Sequence, residues 1–248
     1  ASLAVSYAEG LAGLYNTNLA ARHMDRLGRP APKDPVRLEA RAWYNPTLRS
    51  QNDTVPGIIV IVMIVIAAML TSITVAKEWE NGTMEQLAST PIRVPELVLG
   101  KVIPYFVIGM LDVTVAVVMG QWLFQVPLRG STALLFGMAA LFLAGALFFG
   151  LMLSIRFKNQ VLANQTALMA SYLPTMLLSG FVFPIENMPV ALHYFTLLVH
   201  SRWFLELIRA VYLKGVGLEI LWLNALVLAL YAVLMLNLCL RKLKLTLE

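Results

Sequence analysis

The sequence predicts an all-α integral membrane protein, a polytopic helical bundle following the remnant of an extracytoplasmic α+β domain. Three observations carry that expectation. Of 248 residues, 59% are hydrophobic and 13% charged, where a soluble domain has about 25% charged, and mean hydropathy is +0.73. The apolar residues gather into five stretches, each near the roughly 20 residues a helix needs to cross a hydrocarbon core. The one polar region is residues 1–55. This composition excludes a soluble globular enzyme and a disordered chain. A single cysteine, Cys239, excludes a disulfide scaffold. The net charge of +5 does not point to nucleic acid, because the basic residues flank apolar stretches instead of clustering.

Within residues 1–55, Leu3, Tyr7, Leu11, Leu14 and Tyr15 recur at helical spacing and predict a helix to about Met24. Pro30, Pro32 and Pro35 make a linker. Val36, Leu38 and Ala40 then alternate with Arg37, Glu39 and Arg41, the pattern of a half-buried strand. The chain starts at Ala1 without a charged segment leading into an apolar core, so a sixth span is expected to precede it.

Spans are predicted at 56–76, 102–123, 131–154, 161–183 and 219–240, within a transmembrane domain covering 56–248. Each must be helical, since lipid offers the backbone no hydrogen-bond partners. Basic residues in short connectors set the orientation. Lys77, Arg93, Lys101, Arg156, Lys158, Arg241, Lys242 and Lys244 fall on one side. Only Arg129, Arg202, Arg209 and Lys214 fall on the other. The first side is read as cytoplasmic, which puts residues 1–55 outside and the C-terminus inside.

The connector 184–218 is too long and too apolar for a simple loop. It predicts a re-entrant hairpin of two short helices. Asn187 followed by Pro189 reads as a helix start. Trp203, Phe204, Leu207, Ile208, Val211 and Tyr212 form an apolar stripe, and Arg202, Glu206 and Arg209 share the opposite face. Gly215 is placed to cap the end.

At the end of the first span, Lys77 and Trp79 suit a headgroup layer, and Gly82 breaks the helix. Thr83 and Gln86 have capping-box spacing, with Glu85 in the first turn and Pro91 as a stop. The prediction is a short, sharply bounded helix over 83–90. Arg93-Val94-Pro95-Glu96 starts the next helix, with proline early.

Three residues inside spans are candidates for a translocation path. Asp112 stands at the middle of the second span, where a charge is costly unless protonated or paired. It either faces such a path or makes a structural contact with Asn164, Gln165 or Asn224. Asn164 is the second candidate, and Pro174, expected to kink its helix, is the third. Ala140, Ala144, Gly145, Ala146 and Gly150 give one span small faces for close helix contact. Trp122, Trp222 and Tyr105 sit near span ends, as an aromatic belt would. His193 and His200 share a helical face without an acidic residue at ligand spacing, so no metal site is expected. The sequence contains neither a P-loop nor a hydrolase or zinc-protease motif. The chain is therefore read as a non-enzyme, and any ATP-driven work would use a nucleotide site elsewhere.

The stretch Glu78-x-Glu80-x-Gly82-Thr83-x-Glu85-Gln86-Leu87-x-x-Thr90-Pro91 resembles the pattern after the second span of bacterial ABC-2 type permeases. Trp43-Tyr44-Asn45-Pro46, Leu178-Ser179-Gly180-Phe181, Pro184 to Pro189 and Tyr212-Leu213-Lys214-Gly215 are similar to the multidrug-efflux-like branch. The resemblance covers roughly 43 to 241. It departs at His200-Ser201, where relatives usually carry a proline-containing turn.

The resemblance implies a six-span permease of the bacterial inner membrane that exports drugs or other amphipathic small molecules. It makes 83–90 the coupling helix and assigns ATPase contact to Glu78, Glu80, Gly82, Thr83, Glu85, Gln86, Leu87, Thr90 and Pro91. ATP and Mg would be held by a separate ABC ATPase subunit, with no cofactor on this chain. A second permease copy or paralogue, membrane lipid and a periplasmic adaptor are the other implied partners; nucleic acid is not one. An ion-coupled secondary transporter or channel using Asp112 is the alternative.

Overall fold

The computed structural model describes residues 2–26 and 51–243, and every regular element among them is helical. The linker at 30–35, the strand expected at 36–41 and Trp43 to Pro46 lie outside the described residues. The helix α1, Ser2–Arg26, belongs to a separate unit from the remainder. It runs slightly beyond the expected end, and Leu11, Leu14 and Tyr15 leave an apolar stripe exposed along it.

The second unit holds nine α-helices among the described residues: α2 (Gln51–Ser72), α3 (Thr74–Glu80), α4 (Thr83–Ala88), α5 (Val94–Trp122), α6 (Thr132–Phe157), α7 (Gln160–Leu178), α8 (Val190–Thr196), α9 (His200–Arg209) and α10 (Leu218–Lys242). Four segments have the length and hydropathy to cross a membrane: Gln51–Glu80, Val94–Trp122, Thr132–Phe157 and Leu218–Lys242. They correspond to the expected spans 56–76, 102–123, 131–154 and 219–240, two of which overrun a helix end by one residue, and otherwise extend them, because caps rather than apolar runs decide where a helix ends. Asp53 sits favourably in the first turn of α2. The Glu96 carboxylate accepts from the Arg93 amide at 3.0 Å to start α5. The Ser131 hydroxyl accepts from the Leu134 amide to start α6.

The remaining expected span, 161–183, is shorter than predicted. The helix α7 stops at Leu178 because Ser179-Gly180 turns the chain, with Gly180 at φ +87. Its 19 residues reach roughly 28 Å, but Asn164, Gln165, Ser171 and Thr175 dilute its hydropathy, and it is not among the four.

The centre of the unit is α6, which packs against α2, α5, α7 and α10. Leu135, Phe142, Leu143, Leu147 and Leu151 of α6 are fully buried. Two of the small residues expected to allow close contact, Gly145 and Gly150, do so. A Cβ on Gly150 would stand 2.4 Å from the Ala68 carbonyl oxygen of α2, and one on Gly145 would stand 2.9 Å from the Tyr231 ring of α10. These distances leave no room for a side chain at either position.

The 184–218 connector forms the two short helices α8 and α9, with one correction. Asn187 does not cap a helix. It lies in a 3-10 turn, Ile185–Asn187, and α8 starts after Pro189 with no side-chain cap. The prolines at 184 and 189 bracket a tight turn there, in which the Asn187 amide donates to the Pro184 carbonyl at 3.1 Å. The apolar stripe is buried at Phe204, Leu207 and Ile208 of α9 and at Val211 and Tyr212 after it, with Trp203 half-buried. After α9 the helix widens into a π segment, Ala210–Lys214, ended by Gly215 at φ +65. Carbonyls in that segment have outside donors: the Arg129 and Gly130 amides bond Tyr212 and Val211 at 3.1 and 2.9 Å. This fastens the hairpin to the α5–α6 connector, and no local pattern in the sequence announces it.

Candidate functional site

The segment from Ser72 to Pro91 is built around an interruption. The helix breaks at Ile73, between α2 and α3, and the Ser154 hydroxyl of α6 accepts from the Val75 and Ala76 amides at 3.0 and 2.9 Å. Ser154 is fully buried, so it supplies the acceptor these amides would otherwise lack. Around the break, the Thr71, Ser72 and Thr74 hydroxyls donate to the Ala67, Met69 and Thr71 carbonyls.

Below the break, α3 is fastened on two sides. Glu78 forms an ion pair with Lys101 of α5. The Glu80 carboxylate accepts from Asn159 Nδ2 at 2.7 Å, the Gln160 amide at 3.0 Å and Gln160 Nε2 at 2.5 Å. An anion at this point also complements the first turn of α7, which Asn159 caps by accepting from the Leu162 amide at 2.9 Å. The Lys158 ammonium lies 3.9 Å from the Trp79 ring centroid. Sequence reasoning assigned Glu78 and Glu80 to an outside partner and missed these internal partners, which lie 23 and about 80 residues away.

The short helix α4 starts where predicted and ends two residues earlier than the expected 83–90, at Ala88, and the capping box does not form. Gly82 is the N-cap, at φ +70, and no side chain caps the helix. Thr83 has entered the first turn and its hydroxyl donates weakly back to the Glu78 carbonyl at 3.4 Å. Glycine is required at 82 because the chain reverses there through left-handed backbone. Met84 is buried and pins the helix to the bundle. Gly82, Thr83, Glu85, Gln86, Thr90 and Pro91 are exposed, and Leu87 is half-buried. The Ser89 and Thr90 hydroxyls close the last turn onto the Gln86 and Leu87 carbonyls. The outcome is an exposed six-residue helix on a base tied to α5, α6 and α7.

The three candidate path residues are not brought together. Asn164 lines a groove of about 610 Å³ beside α3, its Oδ1 accepting from the Ser72 hydroxyl at 3.4 Å. Pro174 lines a different, apolar groove with Leu177, Phe183 and Met188. Asp112 is half-buried on α5 and lines neither. Its expected structural partners are engaged elsewhere or exposed: Asn224 donates to Glu206 at 3.2 Å, and Gln165 faces outward.

Arg202, Glu206 and Arg209 do share a face, which lines a cavity of about 860 Å³ at the hairpin. Their partners are not each other. Arg209 pairs with Asp53 at 2.9 Å, Arg202 bonds the Thr196 hydroxyl, and Glu206 takes Asn224. His193 lines the same cavity, whereas His200 is buried and stacks on Tyr231 at 4.0 Å. Burial pushes the His200 imidazole down to about 3 and the Tyr212 phenol up to about 12.

The family model for the ABC-2 family transporter proteins matches residues 4–241. Among curated relatives, "Probable multidrug ABC transporter permease YbhS" of Escherichia coli is 40% identical over 203 residues, covering 82% of this chain and 54% of the relative. "Probable multidrug ABC transporter permease YbhR" of the same organism is 31% identical over 222 residues, covering 90% and 58%. "Inner membrane transport permease YhhJ" of Escherichia coli is 28% identical over 193 residues, covering 75% and 50%. The chain thus spans about half the length of the curated relatives it matches. No solved structure matches it. On the extent of the family match and the identity to these relatives, the chain belongs to the ABC-2 family of transporter proteins.

Proposed function

We propose that this chain forms the membrane part of an ATP-driven exporter permease, with α4 as the element that receives movement from a separate ATPase subunit. One observation carries the reading: α4 is exposed yet mounted on α3, which is tied to α5 through Lys101 and to the start of α7 through Asn159 and Gln160. A push on α4 is therefore transmitted to several helices together and not absorbed in a loop. ATP and Mg belong to the partner in this reading, and a second permease copy or paralogue completes the path. Drugs or other amphipathic molecules are the proposed cargo, on the names of the relatives. A periplasmic adaptor is a further proposed partner.

Two measurements test this. A P-loop ATPase should co-purify with the full protein, and removing the exposed side chains of Glu85 and Gln86 should weaken that association; purification without any ATPase under mild detergent would refute the reading. In a Cys239→Ala background, cysteine at Asn159 should be labelled only from the cytoplasm, and cysteine at Asn187 only from outside. Labelling of both from one side would remove the proposed orientation.

A further inference from the structure

The groove beside α3 is lined by both polar and apolar side chains. Leu70, Ile73 and Pro104 are among the apolar ones, and the volume is about 610 Å³. Lys77, Tyr105 and Asn164 line the same groove, together with Thr74, Glu78 and Lys101. Neither Lys77 Nζ, Tyr105 Oη nor Asn164 Nδ2 has a hydrogen-bond partner among the described residues. The nearby carboxylate, Glu78, is already paired with Lys101. Lys77 is exposed, so the formal charge of Lys77, Lys101 and Glu78 together leaves one positive charge uncompensated. The second Glu78 oxygen, Oε2, is buried without a partner among the described residues, but the net charge of the lining stays positive, and what complements it is an anionic headgroup carrying an apolar chain.

We propose that this groove binds an anionic phospholipid from the leaflet at the α4 end of the bundle. Phosphate oxygens accept from Lys77 and Asn164, and the first acyl carbons lie along Leu70, Ile73 and Pro104. Ile73 and Thr74 line the groove on one side of the helix break, while Ser154 holds the Val75 and Ala76 amides from another helix. A bound lipid therefore braces the element that carries α4. The functional consequence rests on the exporter reading; the binding does not.

The test uses the full protein in bilayer nanodiscs of equal phosphatidylglycerol and phosphatidylcholine, with retained lipid counted by native mass spectrometry. Phosphatidylglycerol should be retained over phosphatidylcholine about tenfold, the worth of one hydrogen bond to a charged group. Lys77→Gln, at an exposed position that does not endanger folding, should bring the ratio close to one. Ile73→Trp, which fills the groove without changing charge, should lower total retention. Lys242→Gln, at the end of α10, should leave the ratio unchanged. Equal retention of the two lipids by the native protein, or an equal loss with Lys242→Gln and Lys77→Gln, would overturn the site. Since no nucleotide is needed, that failure leaves the exporter reading standing, and a failed ATPase association leaves the lipid site standing.

Discussion

On the exporter reading proposed above, Glu80→Ala should uncouple the chain from the proposed ATPase subunit without detaching it. The substitution removes the acceptor for Asn159 Nδ2, the Gln160 amide and Gln160 Nε2. These bonds lie at the surface, so water replaces them and global stability changes little. What is lost is the tie between α3 and the start of α7. A loss of 1–2 kcal/mol in holding that geometry is worth a factor of roughly 5–30 in its population. Substrate-stimulated ATP hydrolysis by the complex should fall about tenfold on that basis, with co-purification of the ATPase retained. Glu80→Gln keeps one acceptor oxygen and should fall between the two. Normal stimulation in the alanine variant, with normal assembly, would show that Glu80 only decorates the start of α7.

Ser154→Ala should have the largest effect on stability. Ser154 is fully buried and its hydroxyl serves two backbone amides of α3, Val75 and Ala76. Alanine fits the space but leaves both amides without an acceptor. Each such buried group costs about 1–3 kcal/mol, so the pair costs on the order of 2–6 kcal/mol. The purified variant should melt at a clearly lower temperature, and amide exchange should quicken over residues 73–77 ahead of α2. Unchanged melting and exchange would mean that water or a regular helix replaces the serine. The same variant separates stability from coupling, because the Glu80 contacts remain in place.

The bundle was legible from the chain because membrane helices are chosen by length and hydropathy, which are local properties. The short helix after Gly82 was legible for a related reason: Gly82 and Pro91 are backbone punctuation that any surroundings must respect. Its capping was misread, since Gly82 adopts the left-handed conformation and takes the N-cap position that Thr83 was expected to hold. Likewise, Asn187 has cap chemistry, but the prolines around it make a 3-10 turn instead. The end of α7 was placed five residues too late because an apolar run continues past Gly180 while the backbone does not.

The sequence by itself determined the class of the protein, the order of its helices, the small-residue contacts of α6 and the position of α4. It did so because each follows from hydropathy, side-chain size or backbone restriction within a few turns of chain. Only the tertiary structure decided what holds α4 in place: Lys101 on Glu78, Asn159 and Gln160 on Glu80, and Ser154 on a break in the first span. It also dispersed Asp112, Asn164 and Pro174, which share only their unusual setting in apolar helices. The physical reason is the same in both cases. A polar group in a bundle must find a partner wherever the fold puts one, and partners drawn from elements tens of residues apart leave no periodicity to read.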